Sequence, residues 1–193
     1  MERFRKELKE FVCGYNKDVI NIPVSGEGAP GSLIMMIGEA PGEQETILGR
    51  PFVGKAGKNL DEFLSMAELD RQELYVTNVV KYRPIKHSSA GRLVNRPPTR
   101  DEVRAFLPWL LREIDLVHPK LIVTLGNVPL RALIGEKSAI GNMHGQFMEW
   151  GEYVVFPMYH PASVIYNPSL KEIYHEDIRR LSGYLKAGRN AGI

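Results

Sequence analysis

Four short stretches hold residue types able to do chemistry: "GEAPGEQE" from Gly38 to Glu45, "GRPFVGKAGK" around Phe52 and Lys55, "NVVK" from Asn78 to Lys81, and "HPAS" from His160 to Ser163. An aromatic ring such as Phe52 can stack on a planar heterocycle. An amide such as Asn78 presents a donor and an acceptor together to that ring's hydrogen-bonding edge. A histidine such as His160 can donate to a carbonyl on which negative charge gathers. A carboxylate such as Glu39 can hold a water or offset the positive charge of a sugar cation. Basic residues on either side would grip phosphates. Together these groups are the equipment for parting a base from its deoxyribose.

Taken singly, each residue also has a purely structural reading. Glu39 can be a solvated acid after a strand, Asn78 a turn residue, Phe52 core, and His160 a hydrogen-bonded histidine before proline. "GKAGK" lacks the G-x-x-x-x-G-K-[ST] spacing of a phosphate loop, which argues against a nucleotide triphosphatase. The case for chemistry rests on convergence, and convergence depends on the elements that carry these residues.

Those elements are legible as alternating patterns. Short, apolar, β-branched runs at residues 33–37, 74–80, 121–125 and 153–158 read as strands covered on both faces. Helical patterns lie between them, at 57–69, from Thr99 through Ile114, at 127–133 and at 170–185. Thr99-Arg100-Asp101-Glu102 is a capping box, in which hydroxyl and carboxylate satisfy each other's backbone N–H groups. Strands alternating with helices predict an α/β fold: a three-layer α/β/α sandwich around a central four-stranded parallel sheet, as a single domain over residues 1–193. Ligands of such sheets gather at the carboxyl ends of the strands. Gly38-Glu39, Asn78, Gly126-Asn127 and His160 all fall there, and residues 83–98 read as a long irregular loop.

Composition narrows the classes further. The chain has 193 residues, 44% hydrophobic and 25% charged, with a net charge of +2. That is an ordinary soluble composition without the strongly basic footprint of a nucleic-acid coat. No apolar run reaches membrane-spanning length, and "MERFRKELKEF" reads as a charged amphipathic helix, so no membrane association and a cytoplasmic location are expected. The single cysteine, Cys13, excludes an internal disulfide and any cysteine-only metal site. A local basic run includes Lys81, Arg83, Arg96 and Arg100, which reads either as a solvated loop or as a phosphate grip.

"GEAPGEQE", "GRPFVGKAG", "YVTNVVKYRP" and "HPASV", in this order and spacing, closely resemble the family 4 uracil-DNA glycosylases, from about Cys13 to the C-terminal helix. The resemblance implies a three-layer sandwich and a monofunctional enzyme that hydrolyses the bond between uracil and deoxyribose, leaving an abasic site. Its partner would be uracil-containing DNA, its state monomeric and its location the nucleoid within the cytoplasm. It implies that Phe52 stacks on the flipped uracil, Asn78 reads its edge, and His160 stabilises the uracil anion. Glu39 would handle the water or the sugar cation, with Glu45 as the alternative because the aspartate position of a related branch is Ala40 here. Gly38 and Ala40 would line the pocket. Lys55, Lys81, Arg83, Arg96 and Ser163 would contact DNA, and Val164 and Ile165 would form an apolar wedge in the duplex. Family members typically hold a [4Fe–4S] cluster on four cysteines. Here Cys13 matches the first, and the others are Asn16, Tyr82 and Phe106. One thiolate cannot hold such a cluster, so no metal and no cofactor are expected, with Tyr82 and Phe106 packing that space. A related branch traps DNA covalently through a histidine, and that place is Asn95 here, so turnover is expected.

Overall fold

The computed structural model describes residues 1–15 and 21–190. In chain order the elements are α1 (Glu2–Tyr15), β1 (Ile34–Gly38), α2 (Glu43–Leu48), α3 (Lys55–Met66), β2 (Leu74–Asn78), β3 (Ile85–His87), β4 (Leu93–Asn95) and α4 (Arg100–Val117). They continue with β5 (Leu121–Leu125), α5 (Asn127–Ile134), α6 (Ile140–Met143), β6 (Met148–Trp150), β7 (Tyr153–Met158), α7 (Pro161–Tyr166) and α8 (Lys171–Asn190). The sheet order is β2-β1-β5-β7-β6. The first four strands are parallel, as the apolar runs predict, and β6 adds an antiparallel edge beside β7.

Strand side chains alternate between faces, so each strand feeds two cores. Met36, Val76, Val123 and Phe156 pack with Leu60, Phe63 and Leu64 of α3 and Ile178 and Leu181 of α8. Met35, Ile37, Tyr75, Ile122 and Val155 pack with Phe4, Leu8 and Val12 of α1 and Phe106, Leu110 and Ile114 of α4. β1, β2 and β5 are buried along their whole length, the signature of strands covered on both sides. The three-layer sandwich is therefore the observed architecture.

Two differences from the sequence reading matter for the site. Residues 83–98 are not irregular: β3 and β4 pair antiparallel, Ile85 opposite Asn95. Three-residue strands are too short to show a period, and what closes this hairpin is non-periodic: Arg96 Nε donates to the Ile85 carbonyl. The second difference is the reach of the α4 capping box. Thr99 and Glu102 bond reciprocally as expected, but Glu102 also receives a bidentate pair from Arg96 and a hydrogen bond from the Tyr82 hydroxyl. One carboxylate thus joins the helix start, the hairpin and the segment after β2. Burial pushes its pKa up, yet the bonds from Arg96, Tyr82 and the Thr99 N–H outweigh this and hold it at about 2.

Candidate active site

The carboxyl ends of β1, β2 and β7 surround a cavity of about 480 Å³ lined by Phe52, Asn78, Asn95, Lys55, His160 and Tyr166 among others. That size suits a nucleoside. A larger groove of about 790 Å³ opens at the other end of the strands, between Leu33, Ile34, Leu121 and Leu185. Its lining is mainly apolar, with Ser32, Gln72, Glu73, Lys120 and Tyr184 as the polar side chains.

Gly38 shows how tightly the first cavity is assembled. A Cβ built there would meet Phe52 Cζ at 2.4 Å and Asn78 Oδ1 at 2.5 Å, so only glycine lets the ring and the amide come together over this strand end. The Phe52 and His160 rings lie nearly parallel, 26° apart, with centroids 6.1 Å from each other. Phe52, Asn78 and His160, far apart in sequence, therefore face one small space.

Phe52 occupies that place in a left-handed conformation, φ 53°, which a bulky residue seldom adopts. Glu45 holds it. One carboxylate oxygen accepts the Val53 and Gly54 N–H groups at 3.1 and 2.7 Å, and the other accepts the Gly42 N–H at 3.1 Å. Glu45 is buried, and both its carboxylate oxygens are engaged with backbone N–H groups around the Phe52 loop. Gly57 completes the arrangement: a Cβ there would lie 1.9 Å from the Phe52 carbonyl oxygen, so α3 can abut the loop only at a glycine.

Glu39 is different. It follows Gly38 on the chain, half-buried, and its carboxylate has no hydrogen-bond donor among the described residues. Burial raises its pKa above the usual carboxylate value. Ala40, next along, does line the cavity.

His160 caps α7. Its Nδ1 accepts the Ala162 N–H at 3.1 Å. A nitrogen that accepts carries no proton, so the neutral ring keeps its proton on Nε2. Burial pushes the pKa down to about 4, against a smaller upward pull from Glu45. At neutral pH the cavity thus contains an uncharged imidazole with one fixed N–H donor.

Among the expected DNA contacts, the structure separates free groups from engaged ones. Lys55 is exposed on the cavity wall and makes no ion pair among the described residues. Lys81 is fully buried: its Nζ bonds Thr77 Oγ1 at 2.6 Å and pairs with Glu113, which also accepts from the Tyr75 hydroxyl. It cannot touch DNA. The basic run concealed this, because Glu113 lies 32 residues further along the chain. Arg83 and Arg96 are hairpin staples, Arg83 bonding Asn95 and Glu43 and Arg96 bonding Glu102, so neither is a free phosphate clamp. Ser163 is half-buried, its N–H bonded to the His160 carbonyl. Val164 is half-buried and packs against the core between α3 and α8, while the side chain of Ile165 lies outside the described residues. The exposed aromatic at the rim is Tyr166, 85% accessible, able to stack on a base. Sequence reasoning passed over it, although an aromatic just before Asn167-Pro168 was visible. Asn95 is likewise a cavity residue, previously placed only by alignment with a histidine.

The residues at the family's cluster positions do not fit a [4Fe–4S] group. Tyr82 and Phe106 are buried, with ring centroids 5.6 Å apart, and both pack on Tyr15; Phe11 packs on Tyr15, Phe106 and Trp109. Cys13 is exposed, and Asn16 lies outside the described residues. Among the described residues no group of His, Cys, Asp and Glu is placed to hold a metal ion.

The sequence matches the family model described as Uracil DNA glycosylase superfamily over residues 25–180. The chain is 43% identical, over 167 residues, to a type-4 uracil-DNA glycosylase of Sulfurisphaera tokodaii, spanning 82% of this chain and 72% of that one. It is 36% identical to the type-4 uracil-DNA glycosylase of Thermotoga maritima, spanning 94% of this chain and 97% of the other. Among solved structures, wild-type SMUG2 of Pedobacter heparinus shares the fold, with a TM-score of 0.53 at 12% identity over 82% of this chain and 76% of that one. Matching that superfamily model along most of its length, and type-4 enzymes across most of both chains, the protein belongs to the type-4 family of the uracil-DNA glycosylases.

Proposed function

We propose that the protein excises uracil from DNA by hydrolysing the N-glycosidic bond, acting as a monofunctional repair enzyme. The observation that carries this reading is the shared cavity of Phe52, Asn78 and His160, with the histidine held neutral and its proton directed to Nε2. Phe52 stacks on the extruded uracil. Asn78 accepts from N3–H and donates to O4, which cytosine cannot match because its N3 is an acceptor and its N4 a donor. As the bond to C1′ lengthens, charge collects on uracil O2, where the His160 Nε2–H donates. Glu39, ionised and half-buried, holds the attacking water or offsets the sugar cation. Lys55 meets a phosphate at the mouth.

No cluster takes part. The aromatic packing of Tyr15, Tyr82 and Phe106 supplies the structural tie between α1, α4 and the chain after β2. The purified protein is expected to contain no stoichiometric iron or sulfide, and a full complement of either would overturn this.

The test of function is excision from a uracil-containing oligonucleotide in excess over protein, with abasic sites revealed by alkali. Multiple turnovers are expected. His160→Ala should slow excision by about 10²–10³-fold, the usual cost of removing a donor from developing charge, with little change in DNA binding. A His160→Ala protein that cuts at the parental rate would remove the basis of the assignment.

A further inference from the structure

We propose that His144 and Asp177 form a positioning pair for His160: they seat Tyr159, the residue before it, and so set the direction in which the His160 ring enters the cavity. The inference rests on the uracil-excision reading above and adds to it a support from outside the cavity.

β7 ends at Met158, so Tyr159 and His160 lie beyond the strand, and the ladder does not fix their direction. Two backbone bonds hold the strand's end: the Gly126 N–H donates to the Met158 carbonyl at 2.8 Å and the Gly145 N–H to the Pro157 carbonyl at 2.9 Å. Tyr159 itself is held by His144, the residue that closes α6. Their rings pack with centroids 5.0 Å apart and planes at 41°. Along an extended chain, successive side chains point to opposite sides. A seat for the Tyr159 ring beside α6 therefore turns His160, whose backbone is extended at φ −64° and ψ 136°, toward Phe52 on the other side.

His144 is fixed in turn from beneath. Its Nδ1 lies 2.9 and 3.1 Å from the two carboxylate oxygens of Asp177 on α8. A carboxylate only accepts, so Nδ1 carries the proton, and the ring cannot flip without losing this bond. Gly145 is fitted to the pair. It stands at φ 67°, where glycine is favoured, and a Cβ there would lie 2.2 Å from Asp177 Oδ1. Asp177 is buried, and a buried carboxylate is costly unless it is paired. Neither His144 nor Asp177 lines the cavity, so their link to it is Tyr159.

The test reads His160 directly. In the parental protein its ring should titrate at about 4, with Nδ1 unprotonated in the neutral form, by NMR of the imidazole nitrogens. In His144→Ala the ring should gain solvent and its pKa should rise toward the ordinary 6.5. The kcat on uracil-containing oligonucleotide should fall about 10–100-fold with KM unchanged, the cost of a misplaced group. In the His160→Ala background the same change should have no further effect. Asp177→Asn, which keeps an acceptor for the Nδ1–H, should retain the parental kcat. Because His144→Ala leaves Asp177 unpaired, the cycle is repeated with His144→Ala plus Asp177→Leu, which removes tether and charge together and should give the same loss. A His160 titration that stays at about 4 in these variants, parental kcat in the charge-free pair, or a loss that persists without His160 would each overturn the proposal. Failure of the unaltered protein to excise uracil would instead defeat the reading on which it rests.

Discussion

A histidine whose Nδ1 accepts from backbone and whose pKa lies at about 4 cannot serve as a cationic acid at neutral pH. The only titrating group in the proposed mechanism that gains function by ionising is Glu39. Burial raises its pKa, so the proton leaves later than from an ordinary carboxylate. The rate should therefore climb as pH rises through a value above 4.5 and then level off, and Glu39→Gln should both slow excision and abolish that rise. A pH–rate profile of kcat/KM measures this; an undiminished acid limb in Glu39→Gln would refute the role. The types of these residues were readable from sequence because each sits where a strand ends. Their states were not, since tautomer and burial depend on neighbours such as the Ala162 N–H.

The loop between α2 and α3 shows how an element is shaped for the site. Phe52 holds a backbone conformation unfavourable to it, stabilised because Glu45 satisfies N–H groups at Gly42, Val53 and Gly54. Glu45→Ala should leave these donors unpaired at about 1–3 kcal/mol each and let the ring move, slowing excision by about 10²-fold. Denaturant unfolding and single-turnover excision together check this, and a variant with parental values of both would contradict it. From the sequence, Glu45 was the alternative to Glu39 for handling water. Its partners lie on the far side of the loop, and no local pattern announces a carboxylate that accepts from backbone. The hairpin at residues 83–98 escaped for a similar reason, its closure depending on Arg83, Arg96 and Glu102.

Across the whole molecule, the sheet separates the cavity at its carboxyl edge from a buried polar knot on the α4 side. Lys81, Thr77, Tyr75 and Glu113 satisfy one another there. Burial lowers the Lys81 pKa, with Glu113 opposing, and raises that of Tyr75. Lys81→Met should cost about 3–5 kcal/mol by leaving the Glu113 charge uncompensated, whereas Lys81→Met with Glu113→Leu should recover most of it. Denaturant titration of the three proteins decides. A single variant within about 1 kcal/mol of the parent would show that the pair does not hold β2 to α4.

From sequence alone came the parallel sheet, the α4 cap and the strand-end places of Glu39, Asn78 and His160, because hydrophobic period, capping chemistry and strand-end position are local properties. Tertiary structure decided which charges are free. It buried Lys81 against Glu113, bound Arg83 and Arg96 into the hairpin, turned Glu45 onto backbone, packed half-buried Val164 against the core and left Lys55, Asn95 and Tyr166 at the cavity. A side chain's charge is written in its own chemistry, but whether that charge meets solvent, substrate or an opposite charge depends on residues brought near only by folding.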